Sequence, residues 1–502
     1  MTSVNAAKRL YVISDLHLGG EYGDVASGDR GFRICTHVRE LSSFVRAITA
    51  RAVRTSVDTE LVINGDLVDF LAEMREVRDP ISGETTLGWQ PFVDNPSTAV
   101  GLFKRIVQRD RDFFAALREL LAAGLRLTIT LGNHDVELGF SAVRQYLADL
   151  LEAEGRRFSI IYDGEAYQVG SVLVEHGNRY DEWNVVSHDG FRRLRSAQSR
   201  MEPSLKPSRG FEAPAGSFLV AGVMNEIKVR FPFIDLLKPE SEAAIPILLA
   251  LAPEYRAKLV TIAGLVARSR KHVVGLDGLP SNAGDIADQY EFQAKPTGAA
   301  VLNEILQDRN LLDVLDPIDP AVAEQDHFLG DINSDAPRSL WSIVKLSLAR
   351  SGTPVSTRLP TLLKALRAVQ NDFSFDKGRE TTPYLMAANR LLSYGWKIVL
   401  FGHTHLAKRI ELENGLYINS GTWADVLPFP STILIPDCGS MGKEDAEAAM
   451  LRRLAQFVED MNSARLKDYL RFVPSYVRIE LDGSGEPLDA QLLEYSNETE
   501  NV

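Results

Sequence analysis

The chain has little cysteine and lacks any long hydrophobic run. Only two cysteines, Cys35 and Cys438, occur in 502 residues, which excludes a disulfide framework and a cysteine-rich metal site. No apolar stretch approaches the roughly 20 residues that a membrane-spanning helix requires. The first residues show no signal-peptide pattern, so we expect a cytoplasmic protein with reduced thiols. Cys35 lies at a predicted helix start, where a thiol pKa can be lowered, but a structural role is the preferred interpretation.

Positive charge is also in short supply. The 55 Lys and Arg residues stand against 68 Asp and Glu residues, which leaves a formal net charge of −13. This balance disfavours broad non-specific binding to nucleic acid, although it permits a local basic groove. The chain also lacks the Gly-x-Ser-x-Gly elbow of serine hydrolases and the Gly-Lys-Ser/Thr phosphate loop. Neither chemistry is therefore expected here.

Histidine is scarce but unevenly placed. Five of the nine histidines lie in short clusters of Asp, Asn and His, each of which follows an apolar β-type run or a short hairpin. The clusters are Ser14-Asp15-Leu16-His17, Gly65-Asp66-Leu67-Val68-Asp69, Gly132-Asn133-His134-Asp135, Glu175-His176-Gly177-Asn178 and Gly402-His403-Thr404-His405. Carboxylates and imidazoles gathered at strand ends are typical of a hydrolytic centre that holds two metal ions.

The predicted secondary structure changes in character twice along the chain. Strand-like and helix-like segments alternate through residues 1–190, which predicts an α/β core. Within that core, the pattern predicts one long helix capped by Ser97 and ending near Gly124. Residues 191–394 show mostly helical pattern and are interpreted as an insertion. The α/β texture resumes over residues 395–485, and residues 486–502 are interpreted as an acidic polar tail.

Taken together, the five clusters resemble the calcineurin-like metallophosphoesterase family. Its pattern is Asp-x-His, Gly-Asp-x-x-Asp, Gly-Asn-His-Asp/Glu, a lone His before Gly, and Gly-His-x-His, and every element is present here. The resemblance covers roughly residues 10–190 and 396–425. It implies an α/β fold with a β-sandwich flanked by helices, a dinuclear site at the sheet ends, and Asp66 as the bridge between two metals. The ligands implied for one metal are Asp15, His17 and His405, and those for the other are Asn133, His176 and His403.

The resemblance also implies a chemistry, that of a metal-dependent phosphoric ester hydrolase. A hydroxide that bridges two divalent ions would attack phosphorus. Mixed nitrogen and oxygen ligands suit Mn, Fe, Zn, Ni or Co, and Mn is the expected metal. His134, beside the implied ligand Asn133, is expected to assist the leaving group. Asp135 is expected either to orient His134 or to cap a helix, and Asp69 is expected to lie at a helix start.

The sequence leaves the identity of the substrate open. A small phosphomonoester or phosphodiester is the first expectation. A nuclease of the same superfamily and a nucleotide-sugar-lipid pyrophosphohydrolase are the alternatives, although the lipid-precursor hydrolases differ from this chain at His134. A non-catalytic scaffold is disfavoured because every implied ligand is present. Arg179 either clamps a phosphate oxygen or forms a surface ion pair. The insertion is expected to form a cap over the site, and an oligomer or partner contact is a further expectation.

Overall fold

The computed structural model describes most of the chain in two compact units. The described residues are 7–21, 31–78, 85–153, 155–181, 183–201, 211–231, 233–238, 243, 245–252, 354–367, 373–436, 443–461 and 464–496. The first unit comprises described parts of Met1–Asn225, Phe373–Asp425 and Phe472–Val502, and the second comprises described parts of Glu226–Asp372 and Val426–Arg471. This division differs from the expected one, because residues 426–471 belong to the second unit. Residues 253–353 of the expected insertion lie outside the described residues.

The described chain contains both strands and helices. The elements as far as residue 198 are β1 (Lys8–Ile13), α1 (Val38–Thr55), β2 (Asp58–Asn64), β3 (Arg75–Arg78), β4 (Thr85–Gly88), α2 (Pro96–Arg109), α3 (Arg111–Ala122), β5 (Arg126–Thr130), α4 (Ser141–Leu150), β6 (Phe158–Ile161), β7 (Tyr167–Val169), β8 (Val172–Val174) and α5 (His188–Gln198). The later elements are α6 (Ala215–Leu219), α7 (Asn225–Arg230), β9 (Leu237–Lys238), α8 (Ile245–Leu251), α9 (Val355–Leu366), α10 (Thr382–Ser393), β10 (Ile398–Phe401), β11 (Lys408–Leu412), β12 (Gly415–Asn419), β13 (Leu427–Pro428), α11 (Lys443–Met461), β14 (Ser475–Leu481) and β15 (Pro487–Glu494).

A six-stranded mixed sheet forms one layer of the first unit, in the order β15-β14-β1-β2-β5-β6. Strands β1, β2, β5 and β6 run parallel, whereas β14 and β15 join antiparallel at one side. Successive side chains of a strand face opposite sides of a sheet. Accordingly, Tyr11 and Ile13 pack with buried residues of α1 to α4, whereas Leu10 and Val12 belong to a separate apolar cluster.

A second mixed sheet, in the order β11-β12-β10-β8-β7, shares that separate cluster. Ile398 and Leu400 of β10 pack with the Leu10 side of the first sheet, so the two sheets face each other. Val399 and Phe401 point the other way and pack with residues of α10. Helical layers therefore cover the outer sides of both sheets, and the first unit has a mixed α/β architecture.

The predicted long helix after Ser97 is wrong in two respects, because the segment forms two helices and its N-cap is not Ser97. Helix α2 ends at Arg109 and α3 begins at Arg111, with Asp110 between them in a non-helical conformation (φ −106°, ψ 27°). The Asp110 carboxylate is buried and paired with Arg33, which favours a bend at this point. The N-cap is Asn95, whose side chain accepts a hydrogen bond from the backbone N–H of Thr98 at 3.0 Å.

The predicted polar tail needs a second correction. Residues Pro487–Glu494 form β15, which pairs antiparallel with β14. Alternate residues of β15 face the inside of the fold, although the segment also contains acidic residues. Ala490 and Leu492 pack on the apolar cluster between the two sheets. That burial holds the segment in the sheet.

The second unit is described only in parts. Helix α9 packs against α8 and against α11, and the short strands β9 and β13 pair parallel. Throughout the described ranges, we find no helix with both the length and the apolar character needed to cross a membrane.

Candidate metal centre

The five sequence clusters all follow strands of the first unit. Strands β1, β2 and β5 of one sheet and β8 and β10 of the other each end one or two residues before a cluster begins. Eight described non-glycine residues have a left-handed backbone, and five of these belong to the implied ligand set: Asp15 (φ 55°), His17 (φ 44°), Asp66 (φ 50°), His403 (φ 69°) and His405 (φ 61°). Such conformations are costly and persist where the surrounding structure enforces them, commonly at functional sites.

Asp15, His17 and His405 form one group of potential ligands. The Nε2 atoms of His17 and His405 lie 2.9 Å apart, and Nε2 of His405 lies 3.4 Å from Oδ1 of Asp15. Burial raises the pKa of Asp15, as does the nearby Asp66 carboxylate, whereas His176 and His17 lower it. Two imidazole nitrogens and a carboxylate oxygen that converge in this way fit a divalent cation.

Asp66, His176 and His403 form a second such group. Nε2 of His176 lies 3.2 Å from Oδ2 of Asp66 and 4.0 Å from Oδ1 of Asp15. Burial lowers the pKa of His176, but Asp66 and Asp15 outweigh it and raise that pKa to about 10. Because a metal needs the neutral imidazole, an ion that binds here would displace a proton.

Asn133, the remaining residue implied as a ligand of the second metal, is buried. Its Oδ1 is buried and, within the described residues, accepts no hydrogen bond. Its Nδ2 donates to Oδ1 of Asn184 at 3.3 Å, which leaves the oxygen for another partner. A buried amide oxygen without a donor is costly unless a cation or a water satisfies it. Asn133 therefore fits the ligand role that the sequence pattern implies.

Asp66 connects the two groups. Its Oδ2 lies 3.2 Å from Nε2 of His176 and 3.7 Å from Nε2 of His17, and its Oδ1 accepts the backbone N–H of His134 at 2.9 Å. Although burial raises the pKa of Asp66, the imidazoles of His176, His134 and His17 hold it well below its ordinary value. An ionised carboxylate between two sets of nitrogen ligands has the position expected of a bridging ligand.

The loop that carries Asn133 and the loop that carries Asp66 approach each other closely, and this approach requires glycine at position 132. A Cβ added to Gly132 would lie 2.0 Å from Oδ1 of Asp66, a distance that no side chain could tolerate. Gly132 directly precedes Asn133. The close approach of Gly132 to Asp66 therefore also brings the backbone of the implied ligand Asn133 near the implied bridge Asp66.

His134 lies at the edge of the centre beside Asp69. Nδ1 of His134 is 3.1 Å from Oδ1 of Asp69, and the ring of His134 stands edge-on to that of His17 with centroids 4.7 Å apart. Asp69 is buried and also accepts the backbone N–H of Ala72 at 3.1 Å, as predicted for a carboxylate at a helix start. Burial raises the pKa of Asp69, but His134 and His17 bring it far below its ordinary value.

Asp135 has a different environment from either of the two that were expected. Its Oδ1 accepts the backbone N–H of Gly132 at 2.7 Å and its Oδ2 accepts that of Leu67 at 2.8 Å. The hydrogen bond that orients His134 comes from Asp69, and the Asp135 side chain forms no helix-capping hydrogen bond. Burial, followed by the charge of Asp66, raises the pKa of Asp135 to about 7. Asp135 thus ties the loop that carries Asp66 to the loop that carries Asn133.

Two residues of the centre, Asp181 and Asn184, were missed in the sequence. Oδ2 of Asp181 lies 3.0 Å from Nε2 of His403 and accepts Nδ2 of Asn184 at 2.7 Å. Both residues lie in the polar run that follows His176. A carboxylate and an amide downstream of a lone His-Gly pair are a more informative signal than the neighbouring Arg179.

Arg179 itself forms an ion pair, which was the second of its two expected roles. Its guanidinium lies 3.6 Å from Oε2 of Glu175, and the side chain is 40% exposed. The hydroxyl of Tyr180 donates to Oε1 of the same Glu175 at 2.5 Å. A contact between Arg179 and a phosphate stays a prediction.

Cys35 does not have the character of a nucleophile. The residue is buried, and burial raises the pKa of its thiol to about 12. The thiol is therefore protonated at neutral pH, which agrees with a structural role.

Comparison with known proteins identifies the family of this architecture. Residues 8–209 match the calcineurin-like phosphoesterase family, so the chain contains a calcineurin-like phosphoesterase domain over these residues. The matched segment ends before His403 and His405, which the structure nevertheless brings close to potential ligands of the matched segment. None of the curated proteins compared with the chain matches it. The family and the buried Asp and His groups together indicate a metal-dependent hydrolase.

Proposed function

We propose that the chain is a phosphoesterase that depends on two divalent metal ions, of which Mn is the first candidate and Fe, Zn, Ni and Co the others. The observation that carries the proposal is the position of Asp66, whose Oδ2 lies within 3.7 Å of the Nε2 atoms of both His17 and His176. Around it, Asp15, His17 and His405 would hold one ion, and Asn133, His176 and His403 the other.

The ions would supply a nucleophilic water at neutral pH and would neutralise the oxygens of the phosphate group. The protein's part is to hold the ligands in place. Ser14 donates a hydrogen bond to the Asp15 carboxylate, and the backbone N–H of His403 donates to Oδ2 of Asp15 at 2.9 Å. A short buried side chain and a backbone N–H thus fix one carboxylate, so little reorganisation is needed when a substrate binds.

His134 would supply the proton that the leaving group needs. Its Nδ1 faces Asp69, so Nε2 is the ring nitrogen directed away from that carboxylate. We infer that Asp69 selects the tautomer and orientation of His134 and that His134 protonates the leaving oxygen. Asp135 would act through the backbone of the two ligand loops and not through His134.

The substrate is a phosphomonoester or a phosphodiester, and the structure favours neither. The test is to remove metal with a chelator, reload separately with Mn, Fe, Zn, Ni or Co, and measure metal content and hydrolysis. The substrates should include mono- and bis-p-nitrophenyl phosphate, cyclic nucleotides, a nucleotide-sugar lipid and single-stranded DNA, which cover the nuclease and lipid alternatives. We expect two ions per chain and activity towards at least one substrate only after reloading.

Asp66→Asn tests the bridge, with Asp189→Asn as a matched control. Asp189 is an exposed carboxylate of α5 that pairs with Arg192 and Arg193. Asp66→Asn should lower metal content and reduce hydrolysis by at least about 100-fold, because the amide cannot bridge two cations as a carboxylate does. Asp189→Asn should change neither. Full activity in Asp66→Asn would exclude the dinuclear proposal.

A further inference from the structure

A chain of hydrogen bonds connects two implied ligands of the same ion. Nε2 of His403 lies 3.0 Å from Oδ2 of Asp181, and that oxygen also accepts Nδ2 of Asn184 at 2.7 Å. Oδ1 of Asn184 in turn accepts Nδ2 of Asn133 at 3.3 Å. His403 and Asn133 lie 270 positions apart in sequence (403 − 133), yet two residues of one short loop contact both of them.

The loop that provides these contacts is held by its own hydrogen bonds. Oδ1 of Asp181 accepts the backbone N–H of Trp183 at 2.9 Å, and Nδ2 of the buried Asn178 donates to the backbone carbonyl of Asn184 at 2.8 Å. The short helical turn Asn178–Tyr180 leads directly into Asp181. Both side chains that face the ligands are therefore constrained before any ion binds.

The contact with Asp181 determines which nitrogen of His403 is left for a metal. A carboxylate accepts a hydrogen bond and cannot donate one when ionised, so Nε2 of His403 carries the proton. Nδ1 of His403 is consequently the nitrogen with a free lone pair. At the other group the arrangement is different, since His17 and His405 approach each other through Nε2.

We propose that Asp181 and Asn184 are positioning residues for the second ion, holding His403 as an Nδ1 ligand and Asn133 as an Oδ1 ligand. This inference rests on the proposed dinuclear function. In this proposal neither Asp181 nor Asn184 is itself a ligand. Their effect passes through the two ligands they orient, as is common for carboxylates behind metal-bound histidines. The loop after His176 thereby controls one ion and leaves the group of Asp15, His17 and His405 unaffected.

The experiment is a stepwise titration of the metal-free full-length chain with Mn²⁺ or Co²⁺. Calorimetry measures the affinity of each ion during the titration, and elemental analysis after gel filtration measures the number of ions bound. The variants are Asp181→Ala, Asp181→Asn and Asn184→Ala, and Asp189→Asn is the control. Circular dichroism and the thermal midpoint of each metal-free variant establish that it is folded. For Mn²⁺, electron paramagnetic resonance distinguishes a coupled pair of ions from a single ion.

We expect the wild type and Asp189→Asn to bind two ions. Asp181→Ala should weaken one of the two ions by about 10–100-fold and leave the other within about threefold. Its manganese spectrum should change from a coupled pair to a single ion at limiting metal. Asn184→Ala should weaken the same ion. Asp181→Asn retains an oxygen that can accept from Nε2 of His403, so it should lose less affinity than Asp181→Ala.

Three results would overturn the inference while leaving the proposed function intact. They are a folded Asp181→Ala that binds both ions with wild-type affinity, an equal loss of both ions, and a greater loss in Asp181→Asn than in Asp181→Ala. A wild type that binds no divalent ion would instead refute the proposed function itself, so the two failures can be distinguished.

Discussion

Nδ1 of His134 lies 3.1 Å from Oδ1 of Asp69, and the same carboxylate oxygen accepts the backbone N–H of Ala72 at 3.1 Å. One buried side chain therefore starts a helical turn and fixes the orientation of an imidazole. Because Asp69 is anchored to the backbone, it loses little further conformational freedom when it holds His134. A general acid that is preoriented in this way needs no rearrangement during proton transfer.

The first prediction concerns this pair. His134→Ala should retain both ions but lose about 10²–10⁴-fold in kcat, with the larger loss for substrates whose leaving group has a high pKa. Asp69→Asn should show the same dependence on the leaving group with a smaller loss, because His134 is still present but no longer held as one tautomer. Rates with a series of aryl phosphates, together with metal content, measure both effects.

The structure offers a clear alternative for His134 that the same experiment detects. His17, Asp66 and His134 also lie close enough to form a group of potential metal ligands. If His134→Ala lost an ion, His134 would belong to the ligand set and not to proton transfer. An activity loss independent of the leaving group would likewise contradict the general-acid role.

Those site residues that directly follow an apolar run could be predicted from the sequence. Asp15, Asp66 and Asn133 follow apolar runs, and parallel strands deliver such residues to neighbouring sheet ends, so a shared site could be expected. The partner of His134 was not predictable in the same way. Asp69 and Asp135 are both carboxylates within a cluster, and only the crossing of two loops decides which one faces the imidazole.

The fold, like the site, could be predicted from the sequence only in part. The pattern of apolar runs predicted the five strands that precede the clusters, which are β1, β2, β5, β8 and β10. It did not reveal the break at Asp110, which depends on an ion pair with Arg33, 77 residues away in the chain. It also missed β15, because Asp489 and Glu494 made the segment look like solvent-exposed chain. Both errors arise from contacts distant in sequence that outweigh local composition.

The second prediction concerns Gly132. Gly132→Ala should lower metal affinity and the thermal midpoint, because its Cβ would meet Oδ1 of Asp66 at 2.0 Å and must displace the implied bridge or its own loop. We expect a destabilisation of about 1–3 kcal/mol. Thermal denaturation of the metal-free protein and a metal titration measure the two effects separately.

Gly101 provides the matched control for that substitution. It lies in α2, and a Cβ there would meet no atom within 4 Å. Gly101→Ala should therefore stabilise the helix by about 0.5–1 kcal/mol and leave metal binding unchanged. Unchanged metal affinity in Gly132→Ala would show that this close approach does not position Asp66.

The third prediction concerns Glu137, a buried carboxylate that accepts the backbone N–H of Val93 at 2.8 Å. Burial raises the pKa of Glu137 from 4.5 to about 8. Between these two values the folded state retains a proton that the unfolded state has lost. Stability must fall with rising pH wherever the folded state binds more protons, so this group should destabilise the fold progressively from about pH 5 to about pH 8.

Glu137→Gln separates this contribution from the other titrating groups of the protein. Glutamine keeps an oxygen that accepts the N–H of Val93 and has no charge in either state. The free energy of unfolding of Glu137→Gln should therefore exceed that of the wild type increasingly as the pH rises, by about 1.4 kcal/mol for each pKa unit of the shift. Urea unfolding in a chelator from about pH 5 to about pH 8.5 measures the difference, with the exposed Glu165→Gln as control. A difference that stayed constant over this range would mean that Glu137 is ionised in the folded protein, and its buried charge would then require a cationic partner such as Arg75, whose charge acts to lower the pKa of Glu137.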